Sequence, residues 1–180
     1  MSREDGGNLI VNPPREIWER SELTPQELAA WGALVAATGR AMIDTLPQLA
    51  GGCVNYWEAG NWSLNEAAEP RGIKNAPEHR RVHMHLLGRS PKAKHPAWRW
   101  GEAPKFPDYA ERLQWAKDFE RLTAEECEQI VEAAKNRLIA RGEMKTFLSS
   151  RCESCGYPAW NAICEECDSK TKSAQSSSER

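Results

Sequence analysis

A chain of 180 residues has room for one compact domain and a small appendage. A formal net charge of −2 and a pI near 6.1 exclude a bulk electrostatic basis for nucleic-acid binding. No apolar run is long enough to span a membrane.

Met1 to Gly7 is polar and of mixed charge, lacks the basic start and apolar stretch of a signal peptide, and reads as a disordered lead. A cytoplasmic setting is therefore expected. Thiols stay reduced there, so the six cysteines point to metal or burial and not to disulfides. Most of the eight tryptophans should be half-buried, with one or two available to stack on a base.

Asn8-Leu9-Ile10-Val11-Asn12, stopped by Pro13-Pro14, predicts a strand. Thr24-Pro25-Gln26-Glu27 predicts a capped helix start, and Leu28, Trp31, Leu34, Val35, Met42 and Leu46 approximate one helical face. Pro47 and Gly51-Gly52 end that helix. Cys53 to Trp57 and Trp62 to Asn65 are strand candidates, with turn residues between them that fit a hairpin. Glu66 to Pro77 reads as a loop. Arg80 to Leu87 predicts a third strand with Val82, Met84 and Leu86 on one face. Arg81, His83 and His85 then share the other face, joined by His79 if the strand begins early. Gly88 to Pro107 is a loop rich in Pro and Trp, and a short helix is expected over 108–119. Thr123-Ala124-Glu125-Glu126 is a second capping box, followed by a helical stripe of Cys127, Ile130, Val131, Ala134 and Leu138. Ser169 to Arg180 reads as a disordered tail.

His83 and His85 project from one face about 7 Å apart along the strand. Two imidazoles so placed serve as nucleophile and partner, as two metal ligands, or as ordinary polar residues on a solvated face. The context Arg81-Val82-His83-Met84-His85-Leu86-Leu87-Gly88-Arg89, with Leu64-Asn65-Glu66-Ala67 upstream, resembles the histidine triad (HIT) hydrolases and transferases, including those acting on diadenosine polyphosphates. The order of the first strand, its proline and the Thr24 helix is similar too, so the resemblance extends over roughly residues 8 to 90 in pattern.

The resemblance implies an α+β fold, an antiparallel sheet with one packed helix. It also implies nucleotide hydrolysis or nucleotidyl transfer through a histidine nucleophile. His83 aligns with the nucleophile that attacks the α-phosphorus, and His85 with the third histidine, which bonds a phosphate oxygen or the leaving group. Asn65, Arg81, Arg89 and His79 are the candidate phosphate- or nucleotide-binding residues, with a structural role open for Arg89. Members of the family often pair as homodimers. The chain departs from the pattern at Arg81, which replaces the first histidine. It departs again at Asn8, where many members have histidine, and in the Glu78-His79 region, which lacks the family's Gly-x-Ser contact.

Cys152-x-x-Cys155 and Cys164-x-x-Cys167 have the spacing of two zinc knuckles. Four thiolates close a tetrahedral site with no open position, so one structural Zn2+ per chain is expected. The acidic residues Glu153, Glu165, Glu166 and Asp168 argue against a nucleic-acid role for this module. Cys53 and Cys127 are expected to be buried.

The expected organisation is a catalytic core over 8–107, a helical extension over 108–150, a zinc-ribbon-like module over 151–168 and a tail. Two other readings remain open. One is a metalloenzyme holding a catalytic metal on His79, His83 and His85. The other is a non-catalytic interaction protein with a diverged core and a structural zinc module.

Overall fold

The computed structural model describes residues 1–106, 114, 117 and 119–140. The chain divides into two compact units, Met1–Ala134 and Lys135–Arg180. The first unit runs past the break expected at residue 107. The zinc module, the tail and most of the helix expected over 108–119 lie outside the described residues.

The first unit is built on a three-stranded antiparallel sheet, which agrees with the α+β expectation. Its strands are β1 (Asn8–Val11), β2 (Cys53–Ala59) and β3 (His83–Arg89), in the order β1-β3-β2. The histidine strand is therefore central. It pairs with β1 from Asn8↔Leu87 to Val11↔Met84 and with β2 from Cys53↔Arg89 to Ala59↔His83. The ladder begins at His83 and not at Arg80, because β2 ends at Ala59 and offers no partner further upstream. Ahead of it, Arg80 N–H closes the one-turn helix α2 (Ala76–His79) on Ala76 O at 2.9 Å, and Val82 N–H donates to Ile17 O at 3.0 Å.

Helix α1 (Pro25–Thr45) starts as the sequence predicts. Thr24 Oγ1 accepts from Glu27 N–H at 3.2 Å, Glu27 Oε2 accepts from Thr24 N–H at 2.8 Å, and Pro25 takes the first helical position. Its buried residues include Trp31, Ala37, Ala41 and Met42, and Trp31 Nε1–H donates to Val11 O at the end of β1. Leu28 is exposed and departs from the expected stripe. Helix α3 (Ala124–Ala140) also has its capping box, with Thr123 and Glu126 bonded reciprocally at 2.9 and 3.1 Å. Ile130 and Ala134 are buried within its stripe, whereas Val131 is exposed.

Three expectations are corrected. Trp62 to Asn65 is not a strand. Gly60 adopts φ of 147°, turning the chain out of the sheet, and Asn61–Leu64 coils into a 3-10 turn. Met1 to Gly7 is not a free lead. Ser2 and Asp5 are buried, Ser2 Oγ–H donates to Asp5 Oδ2 at 2.7 Å, and Lys94 N–H donates to Asp5 Oδ1 at 2.6 Å. Arg3 pairs with Glu126 at 2.8 Å. The lead crosses β3 at Gly88, where a Cβ would stand 2.0 Å from Gly6 O, so the crossing needs glycine. Finally, Cys53 is exposed and Cys127 half-buried, so neither is the expected buried apolar residue. Among the described residues no helix is long and apolar enough to cross a membrane.

Candidate active site

The face of the sheet opposite α1 opens into a cleft of about 750 Å3. Strand alternation sends His83, His85 and Leu87 into it, while Leu86, on the other face, is fully buried. Across the ladder, Ala59 faces His83 and Trp57 faces His85. Asn8 enters from β1, His79 from the end of α2, and Arg81 from the segment that leads into β3. The apolar part of the wall includes Trp57, Trp62 and Phe106. Trp57 lies 5.2 Å from Trp62 and 4.9 Å from Phe106 between ring centroids.

Hydrogen bonding fixes the tautomer of His83. Its Nδ1 lies 2.9 Å from Arg81 O. A carbonyl oxygen only accepts, so Nδ1 carries the hydrogen and Nε2 of the neutral ring keeps its lone pair. That Nε2 lies 3.1 Å from His85 Nε2, with room for one hydrogen between them. His85 Nδ1 in turn lies 3.4 Å from Asn8 Oδ1. The Asn8 amide has both an acceptor and donors, so it serves either protonation state of His85 Nδ1.

Burial against Trp57, whose ring centroid is 5.8 Å away, and the adjacent His83 push His85 down to about 4. His85 is therefore a neutral hydrogen-bonding group at neutral pH and not a fixed charge.

Arg81 reaches the cleft with an exposed side chain. Its Nε pairs with Glu16 Oε2 at 2.9 Å, and Nη1 donates to Arg80 O at 3.0 Å. His79 is anchored by Nδ1–H to Asn75 O at 3.2 Å. Comparison with family models, with curated proteins and with solved structures gives no match.

Two residues expected in the site are elsewhere. Asn65 is exposed. Its Oδ1 accepts from Ala67 N–H at 2.8 Å and its carbonyl accepts from Lys74 Nζ at 2.5 Å, so it organises a turn outside the cleft. The strand before β3 ends at Ala59, six positions short of Asn65, and the side chain facing His85 there is Trp57. Arg89 is buried at the far end of β3. Its Nη2 donates to Arg99 O at 2.7 Å and Glu102 O at 2.8 Å, which ties down the following loop.

Trp98 and His95 also belong to packing. Trp98 is buried, with His95 at 4.5 Å and Phe119 at 4.9 Å between ring centroids. His95 Nδ1 accepts from Ala97 N–H at 3.1 Å and caps the Pro96–Trp98 turn.

The residues not named as site residues in advance include Asn8, Trp57, Trp62 and Phe106. Parity on β2 was the available signal for Trp57, since it shares a face with Ala59 and Asn55. Among the described residues no three His, Cys, Asp or Glu side chains come together as a metal site, so His79 does not complete one with His83 and His85. Cys152, Cys155, Cys164 and Cys167 lie outside the described residues.

Proposed function

We propose that the cleft binds a phosphoanhydride or phosphoester of the nucleotide type, such as a diadenosine polyphosphate, and that His83 Nε2 attacks its α-phosphorus. The observation that carries this reading is the Arg81 O···H–Nδ1 bond, which in the neutral ring turns the lone pair of Nε2 to the cleft.

In the first step the Nε2 lone pair forms an N–P bond while the P–O bond to the leaving group breaks, and the leaving oxygen takes that electron pair. The phosphorylated imidazole becomes cationic, and Arg81 O keeps accepting from its Nδ1–H. His85 Nε2–H, released from His83, donates to a phosphoryl or leaving-group oxygen. Water or another acceptor then attacks phosphorus, the N–P bond breaks, and its electrons return to Nε2. The proton of the attacking water leaves with the product or to solvent. Arg81 and His79 line the same cleft and supply contacts for the phosphates. Trp57, Trp62 and Phe106 supply an apolar wall for the nucleoside.

Incubation with diadenosine polyphosphates, nucleoside phosphoramidates and nucleotide sugars, followed by acid quench and mass spectrometry, tests the reading. An acid-labile adduct of nucleotide mass on His83, with turnover abolished in His83→Ala while the fold persists, is the expected result. Full turnover in His83→Ala, or no adduct with any of these substrates, rejects it.

A further inference from the structure

The segment before α1 is pinned beside the cleft by three ties. Ile17 is buried and its carbonyl accepts from Val82 N–H. Glu19 pairs with Arg80 at 2.5 Å, and Arg20 pairs with Glu58 at 3.0 Å. Glu16 stands on this anchored strap and pairs with Arg81 at 2.9 Å, yet its side chain is 81% exposed and that of Arg81 45% exposed. The two consecutive arginines thus differ. Arg80, 19% exposed, holds the strap, whereas Arg81 lines the cleft and makes an ion pair in open solvent. Exposed ion pairs of this kind are weak, and a phosphate offers a guanidinium a more highly charged, bidentate acceptor.

We infer that Glu16 is a latch that occupies Arg81 in the free protein, and that the phosphate of the incoming ligand displaces it. The strap keeps Glu16 in place after Arg81 turns away, so the carboxylate is available to take Arg81 back when the product leaves. Glu16 is then a specificity-determining residue: it sets a threshold that favours ligands with enough phosphate charge to win Arg81. The inference rests on the proposed phosphate site but not on covalent chemistry at His83.

Inorganic pyrophosphate, which needs neither a nucleoside pocket nor a nucleophile, is the probe, titrated calorimetrically into the full chain. Glu16→Gln is expected to tighten pyrophosphate binding about three- to tenfold at low salt, with the gain fading near about 0.5 M salt. Arg81→Gln should weaken binding and remove the effect of Glu16→Gln in the double variant, while Arg81→Lys, which keeps the charge, should retain part of it. Unchanged or weaker binding in Glu16→Gln overturns the latch. So does a gain that persists without Arg81, which would mark a general field effect, or a lack of pyrophosphate binding in every variant. A latch effect without any phosphohistidine would reject the nucleophile and leave the latch standing.

Discussion

Individual side chains in the cleft are set by their nearest hydrogen-bonding atoms. His83 and His85 carry the same ring and are both half-buried, yet one is oriented by the Arg81 carbonyl and the other packs beside Trp57. The consequence for His85 is a pH dependence of stability. Its folded value of about 4 lies below the ordinary 6.5, so between these two values the unfolded chain binds more protons than the folded one. The stabilising contribution of neutral His85 is complete above pH 6.5 and is lost progressively as pH falls toward 4. Thermal melts at pH 7 and pH 4.5 should therefore show a larger drop for the wild type than for His85→Asn. Equal drops would mean that His85 does not titrate differently in the two states. That His83 and His85 share one face was legible in the sequence, because strand parity is a local property of the backbone. The placement of Asn65 was misread: Trp, Ser and Leu before it suit a strand, but the turn at Gly60 takes them out of the sheet.

At the level of elements, β3 joins two tasks. Its first half presents histidines to the cleft, and its end uses Arg89 to hold a loop with little regular structure. Replacing Arg89 with Met leaves the carbonyls of Arg99 and Glu102 without this donor, which should cost about 1–3 kcal/mol in urea denaturation. Pyrophosphate affinity measured on the folded variant should stay unchanged, because Arg89 is not among the cleft residues. A selective loss of affinity would return Arg89 to the site. Both capping boxes were legible because a cap is written in four adjacent residues. The ordering of Met1 to Gly7 was not. It depends on Gly88, Lys94 and Glu126, partners distant in sequence, and polar residues that read as solvated become fixed once each finds such a partner.

For the molecule as a whole, every described residue lining the cleft belongs to the unit Met1–Ala134, whereas the four spaced cysteines belong to Lys135–Arg180. The expected zinc and the proposed phosphate binding should therefore be separable. Elemental analysis is expected to give one zinc per chain, falling to none in a Cys152→Ser/Cys155→Ser variant, with pyrophosphate binding retained. Two zinc ions per chain, or pyrophosphate binding lost together with the metal, would contradict that separation. The expectation of a metal comes from the spacing of the cysteines, because tetrahedral thiolate sites recur at such intervals. A cleft has no comparable signature, being assembled from β1, β2, β3 and loops, and so Trp62 and Phe106 joined Trp57 in its aromatic wall only once the fold was in hand.

The acceptor that orients His83 is a main-chain atom, the carbonyl of residue 81. Sites that orient a base through a carboxylate can lose it by one substitution. A peptide oxygen is carried by every amino acid, so the side chain at position 81 is released from that duty. Inheritance can therefore rework position 81, trading one charge or ring for another and with it the chemistry offered to the cleft, while Nε2 of His83 stays presented there.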